Sequence, residues 1–127
     1  MEINDGWISL HRKLQKHWIW DNPIYLKAWI AILMQVNHAD KKVLIQGELM
    51  ECKRGQSLLS LKSWCKVLGK RWTIQKVRHF FELLKKDKII VTKNVKISTC
   101  LTVCNYDKYQ NMQHTDNTPT TTNNKDK

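Results

Sequence analysis

The chain has 127 residues, an apolar fraction of 42%, six Trp and a formal net charge of +11 at pH 7. This length suits one domain with a short tail, and the apolar fraction excludes a fully disordered chain. No apolar run approaches the roughly 20 residues that cross a bilayer, and Met1–Gly6 lacks the pattern of a signal peptide, so we expect a cytoplasmic protein without membrane contact.

The N-terminal part is predicted to be helical. Residues 6–20 are amphipathic and indicate a strand-like lead and a short helix. Asn22 and Pro23 suit the N-cap and first position of a longer helix, in which residues 24–36 are apolar on nearly all sides. Such a helix is either central to the domain or buries its far side against another subunit. For a homo-oligomer, the candidate interface residues are Leu26, Trp29, Ile30 and Leu33.

Two short strands and a second helix are predicted next. The strands are Val43–Ile45 and Leu49–Cys52, with Gly47 in the turn between them. Ser60 is a suitable N-cap for the helix, and Gly69 ends it because glycine tolerates positive φ. The apolar stripe of this helix repeats at helical spacing and consists of Leu61, Trp64, Cys65 and Leu68.

A third helix and a hairpin complete the predicted domain, which spans residues 1–110. Thr73 caps the helix, and residues 89–92 and 95–103 are strand-like, with a turn at Lys93 and Asn94. Residues 111–127 are rich in Thr and Asn and predict a disordered tail or the stub of a linker. The predicted core stripe of the third helix is Ile74, Val77, Phe81 and Leu84.

The positive charge is concentrated in about a third of the chain. From Lys53 to Lys96 there are thirteen Lys or Arg and two acids, Glu82 and Asp87, so this segment carries a charge of +11. Residues 1–52 contain six basic and six acidic side chains. A local excess of this size predicts a positively charged face, and nucleic acid is its natural partner because each neutralised phosphate releases counterions.

The order helix, tight turn, helix, hairpin predicts an α+β, mainly helical fold. It is a winged helix-turn-helix with a small β-hairpin wing and an extra N-terminal helical segment, and its third helix enters the major groove of double-stranded DNA. Gln75 suits adenine, Lys76 and His79 suit base edges or phosphates, and Thr73 suits a phosphate at the helix N-terminus. The expected phosphate contacts are Lys62, Lys66, Lys70, Arg71 and the flanking Arg78, with Lys93, Asn94 and Lys96 at the wing tip.

Each of these assignments has a plainer alternative. A single surface lysine is as readily a solvated residue as a phosphate contact, and His79 is as readily an idle surface histidine. For the segment as a whole, the scarcity of acids favours the DNA-binding interpretation.

No catalytic or metal-binding pattern is evident in the sequence. Glu82 and Asp87 are five residues apart and lie on different helical faces, so they cannot form a nuclease carboxylate cluster. No glycine-rich phosphate loop precedes a helix. The cysteines lack a C-x-x-C pair and are predicted to be reduced thiols. We therefore expect a protein that is not an enzyme and has no cofactor or metal.

Several segments resemble the N-terminal part of phage replisome organisers and DnaD-like replication initiators. The similarity covers about residues 6–110. Its most specific elements are the dispersed tryptophans and the closing segment Asn105–Gln110. The other segments that carry it are Gly6–Leu14, Trp18–Trp20, Ala28–Trp29, Asn37–His38, Lys53–Gln56 with Ser60, Val77–Phe80 and Leu83–Leu84.

The resemblance implies a winged-helix domain that binds a replication origin and helps to recruit a helicase or helicase loader. It also implies self-association, and many longer relatives carry a further C-terminal domain or ATPase module. Two rival functions stay open from the sequence. One is a transcriptional regulator, since the same fold serves repressors. The other is an oligomeric protein-interaction module that docks a helicase or loader.

Overall fold

The computed structural model describes residues 7–37, 39–106 and 110 as a mixed α+β fold. The predicted tail, residues 111–127, lies outside the described residues. Two 3₁₀ helices, Arg12–Lys16 and Trp18–Asp21, come first. The elements that follow are α1 (Pro23–Gln35), β1 (Lys41–Ile45), β2 (Glu48–Cys52), β3 (Gln56–Leu59), α2 (Leu61–Leu68), α3 (Ile74–Lys86), β4 (Ile90–Val95) and β5 (Ser98–Val103).

The three α-helices begin where the capping residues predict. The side chain of Asn22 accepts hydrogen bonds from the N–H groups of Ile24 and Tyr25, and Pro23 takes the first helical position. Ser60 and Thr73 cap α2 and α3 by accepting from the N–H group three residues later. At the N-terminus the expected strand-like lead and short helix are replaced by the two 3₁₀ helices, which are capped by His11 and His17.

The strands form two antiparallel sheets. One is the predicted β1–β2 hairpin, whose turn residues Gln46 and Gly47 both have positive φ. The other has three strands in the order β3-β5-β4. Strand β3 was not predicted, because its four residues show no alternating pattern and its partner β5 lies far along the chain.

The turn of the second hairpin lies further along than predicted. Asn94 pairs with Thr99 and Val95 pairs with Ser98, so the two-residue turn is Lys96–Ile97. The prediction at Lys93 and Asn94 was wrong, although Asn favours turns. Pairing with the central strand β5 decides the register instead, and Lys96 takes a φ of 57° to close the turn.

One hydrophobic core joins α1, α2, α3 and the three-stranded sheet. Trp64 of α2 meets Phe81 of α3 edge-on, with ring centroids 5.6 Å apart, and Tyr25 of α1 stacks on Phe80 at 4.7 Å. Phe80 is fully buried, whereas Ile74 is 40% exposed. The predicted stripe of α3 was therefore wrong at Ile74, because the inward face is centred nearer Val77, Phe80, Phe81 and Leu84.

Helix α1 packs one side against the hydrophobic core. Leu33 is 5% exposed and belongs to the core, and Leu26 and Trp29 pack against that core half-buried. Leu33 offers little surface to a partner, because its side chain is buried in the core. Ile30 is half-buried, and the most exposed large apolar residues of α1 are Ile24 and Met34. Among the described residues, no helix is long and apolar enough to cross a membrane.

Candidate nucleic-acid interface

The turn between α2 and α3 places two cations at the surface. Gly69 ends α2 with a φ of 137°, a conformation that residues with a side chain rarely adopt. Lys70 and Arg71 follow and are exposed. Trp72 fixes the turn to the core, because its ring lies 5.5 Å from that of Phe80. The exposed cations are therefore carried on an anchored backbone.

Helix α3 presents its polar side to solvent as predicted. Gln75, His79 and Lys86 are exposed, and Lys76 and Arg78 flank them. The first turn of α3 contains no acidic residue. The first turn of α3 lies next to Lys70 and Arg71 in the chain, so the N-terminal end of this helix is a region of positive charge. The positive end of the helix dipole adds to it.

Both acids of the basic segment are engaged by neighbouring groups. Glu82 pairs with Lys85 at 2.6 Å. Asp87 accepts hydrogen bonds from Nε2 of His17 at 2.5 Å and from Nε1 of Trp18 at 3.0 Å. Nδ1 of His17 accepts from the N–H of Ile19, so Nε2 is the nitrogen that carries the proton in the neutral ring. Neither carboxylate is paired with a cation of the α2–α3 turn.

Most of the predicted phosphate contacts have no anionic neighbour. In the part of the chain that the structure describes, no carboxylate lies within ion-pair distance of Lys62, Lys66, Lys70, Arg71, Arg78 or Lys93. Lys76 donates from Nζ to the carbonyl oxygen of Arg71 at 3.2 Å. All twelve residues predicted to bind DNA are exposed. Their positions allow a polyanion to reach them.

The cations of the hairpin β4–β5 are placed differently from the prediction. Lys93 and Asn94 lie on the exposed edge strand β4, and Lys96 lies in the turn. Lys96 forms an ion pair with Glu48 of β2, and this hydrogen bond and the nearby charge hold the pKa of Glu48 below its ordinary value. Glu48 thus offsets the positive charge of Lys96. Local sequence patterns do not indicate this contact, because the two residues lie on different hairpins.

A cavity of about 210 Å³ lies away from this interface, between the N-terminal segment, α1 and the end of β5. Trp29 and Leu33, two of the predicted oligomer residues, line it, whereas none of the predicted DNA contacts does. Within the described ranges, no three His, Cys, Asp or Glu side chains are placed to hold a metal ion.

Comparison with known proteins identifies no relative. No protein-family model, no curated protein and no solved structure matches the chain.

Proposed function

We propose that this chain is a DNA-binding protein of the winged helix-turn-helix type. The order α1, β3, α2, α3, β4, β5 with sheet order β3-β5-β4 supports this proposal. It provides a helix pair joined by a tight turn and followed by a hairpin that is braced by a third strand. The hairpin β1–β2 is then an addition between α1 and β3.

In the proposed complex, α3 lies in the major groove and α2 braces it against the core. Lys62, Lys66, Lys70 and Arg71 contact phosphates and so position the protein without reading sequence. Gln75 donates to and accepts from an adenine edge, while Lys76 and His79 reach neighbouring bases or phosphates. Lys93 and Asn94 of β4 lie on the flanking backbone.

One observation carries the proposal. The exposed cations of α2 and the turn, with Lys76 and Arg78 of α3, lack carboxylate partners among the described residues. Glu82 pairs instead with Lys85 near the end of α3, and Asp87 with His17 and Trp18. A protein surface that serves solubility alone usually carries a mixture of positive and negative side chains. An unbalanced cationic surface around a helix N-terminus favours a polyanionic ligand, whose counterions are released on binding.

We propose further that the DNA is a replication origin and that the protein organises a replisome of phage or mobile-element type. This rests on the resemblance to phage replisome organisers and DnaD-like initiators. In that role the protein self-associates, recruits a helicase or helicase loader, and works at the nucleoid of the host cytoplasm. A transcriptional regulator is the rival within DNA binding, because the same fold serves both roles.

A second candidate function is a docking module for another protein. The observation that favours it is a set of exposed apolar side chains in the region of balanced charge: Ile24 and Met34 on α1, and the cross-strand pair Leu44 and Leu49. Exposed apolar side chains can take part in a protein interface. The mass of the protein in solution, alone and with a candidate helicase, tests this function independently of DNA.

The decisive experiment for DNA binding is fluorescence anisotropy across a salt series. The probes are a labelled duplex from the genomic neighbourhood of the coding sequence and a scrambled duplex of the same composition. We expect selective binding to the native duplex and a steep fall of affinity with salt. Gln75→Ala should reduce affinity for the native duplex by about 1–3 kcal/mol and leave the scrambled duplex almost unaffected.

Two results would count against the proposal. Weak and equal binding of both duplexes would remove base readout and move the docking function to first place. A loss from Gln75→Ala that is the same on every duplex would remove Gln75 as a base-reading residue. Lys27→Gln is the matched control, since Lys27 is an exposed cation on α1, outside the proposed interface.

A further inference from the structure

The first turn of α3 contains an apolar side chain that the core does not use. Ile74 is the first residue of α3 and is 40% exposed, whereas the buried face of the helix is formed by Val77, Phe80, Phe81 and Leu84. Ile74 directly follows the capping residue Thr73 and precedes the exposed Gln75. An isoleucine thus lies partly exposed at the edge of the buried face of α3, next in sequence to the residues proposed to contact bases.

The neighbours of Ile74 in the sequence define what this side chain can meet. Lys70 and Arg71 in the turn and Arg78 one helical turn later are exposed cations with no carboxylate within ion-pair distance among the described residues. An acidic protein surface would match these cations but not the isoleucine, and an apolar surface would match the isoleucine but not the cations. A DNA groove matches both features, since phosphates flank it and the base edges form its floor.

Only one group on the major-groove edge of DNA is apolar, and it is the C5-methyl group of thymine. The N-terminal residues of a recognition helix are those that reach base edges. We propose that Ile74 contacts the thymine methyl group, beside Gln75 on adenine, so that the start of α3 reads A·T base pairs. This inference rests on the proposed function, and it makes the protein prefer thymine-containing DNA over the same duplex with uracil.

The test compares two duplexes that differ only in the methyl group. One is an alternating dA–dT duplex, and in the other deoxyuridine replaces every thymidine. We expect the wild-type protein to bind the thymine duplex more tightly, by about fourfold for each methyl group that is buried. Ile74→Ala should reduce the ratio of the two affinities to about one, and Ile74→Val should give an intermediate ratio because it removes less apolar surface.

Leu10→Ala is the matched control, because Leu10 is an exposed aliphatic residue of the N-terminal segment, outside α3 and outside the candidate docking surface. It should keep the wild-type ratio. Circular dichroism and thermal unfolding show whether each variant is folded. If Ile74→Ala is not folded, the ratio of affinities measured with Ile74→Val tests the contact instead. The salt dependence should be the same for both duplexes, because the phosphates are unchanged.

The outcomes separate this inference from the proposed function. Equal binding of both duplexes by the wild-type protein overturns the methyl contact and leaves DNA binding intact. An unchanged ratio in Ile74→Ala shows that another residue reads the methyl group and overturns the role of Ile74. No binding of either duplex, together with none of the native genomic duplex, overturns the proposed function itself.

Discussion

The two halves of the domain differ in charge and in the side chains they expose. In residues 1–52 the basic and acidic residues balance at six each, and the exposed large apolar residues include Trp20, Ile24, Met34, Leu44 and Leu49. In the segment from Lys53 to Lys96 the charge is +11, and the surface of α2, the turn and α3 is cationic. We call these the neutral region and the basic region.

The two regions nevertheless share one core. Tyr25 of the neutral region stacks on Phe80 of the basic region, and Ile32 and Leu84 belong to the same buried cluster. Separate surfaces on one core mean that a surface change in one region should leave the other region unaffected, whereas a core change should affect both. The following predictions test how far this separation extends.

The largest effect is expected where the two regions meet in the core. Phe80→Ala should lower the free energy of unfolding by about 3–5 kcal/mol, because it leaves a cavity under Tyr25 and beside Trp72. Urea denaturation measures this change. Trp7→Ala is the control, since Trp7 is 82% exposed and its removal should change stability by less than about 0.5 kcal/mol. Equal losses in both variants would contradict the assigned core.

The next effect concerns the point at which the chain passes from the neutral to the basic region. Gly55 has a φ of +81°, and an added Cβ would lie 2.9 Å from Cβ of Tyr106. Gly47 has a φ of +77° with no atom within 4 Å of that position. Both alanine variants carry the backbone strain of about 1–2 kcal/mol, and Gly55→Ala should lose about 1–3 kcal/mol more from overpacking.

Urea denaturation of Gly47→Ala and Gly55→Ala isolates the steric contribution, because the backbone strain is nearly the same in both. A similar loss in the two variants would mean that Tyr106 moves aside at little cost. The packing of Tyr106 against Gly55 would then be looser than the structure indicates.

A smaller effect is expected on DNA binding from single cations of the basic region. Arg71→Gln should weaken binding to all duplexes and reduce the slope of log affinity against log salt by about one unit, because one phosphate contact is lost. Lys42→Gln, an exposed cation of β1 in the neutral region, should leave the slope unchanged. Anisotropy titrations over a salt series give both slopes. Equal changes in the two variants would mean that the regions do not differ as binding surfaces.

Local signals in the sequence predicted both ends of α2 and the start of α3 correctly. Ser60, Gly69 and Thr73 placed both helix boundaries, because capping depends on residues within one turn. The exposure of Gln75 and His79 followed from the helical period. These features need no information about distant parts of the chain.

The features that the sequence did not predict depend on distant contacts. Strand β3 exists because β5 pairs with it, and the turn at Lys96–Ile97 follows from the register of β4 on β5. Ile74 is partly exposed although it was expected in the core, and Phe80 is buried although the predicted stripe did not include it. The reason is that the inward face of α3 is set by what α1 and α2 present to it. The partner of Lys96 is a carboxylate on another hairpin, which no local pattern indicates.

The smallest expected effect lies at the ion pair between Glu48 of the neutral region and Lys96 of the basic region. The hydrogen bond and the charge of Lys96 lower the pKa of Glu48 in the folded protein. A carboxyl group with a lowered folded pKa stabilises the fold at pH values above its unfolded pKa, and that stabilisation is lost as the pH falls through the folded pKa. Because the pair is exposed, its effect on stability should be slight and should decrease with salt.

NMR titration of the Glu48 side chain measures this pair directly. Lys96→Met should return the pKa of Glu48 upward towards its ordinary value, whereas Lys93→Met, which removes an exposed cation from β4, should leave it lowered. An unchanged titration in Lys96→Met would show that the two hairpin tips do not meet in solution. If the pair forms, a DNA phosphate must compete with Glu48 for Lys96. Glu48→Gln removes this competition, so log affinity should then fall more steeply with log salt. Glu48 of the neutral region would then reduce the number of cations in the basic region that can bind phosphates.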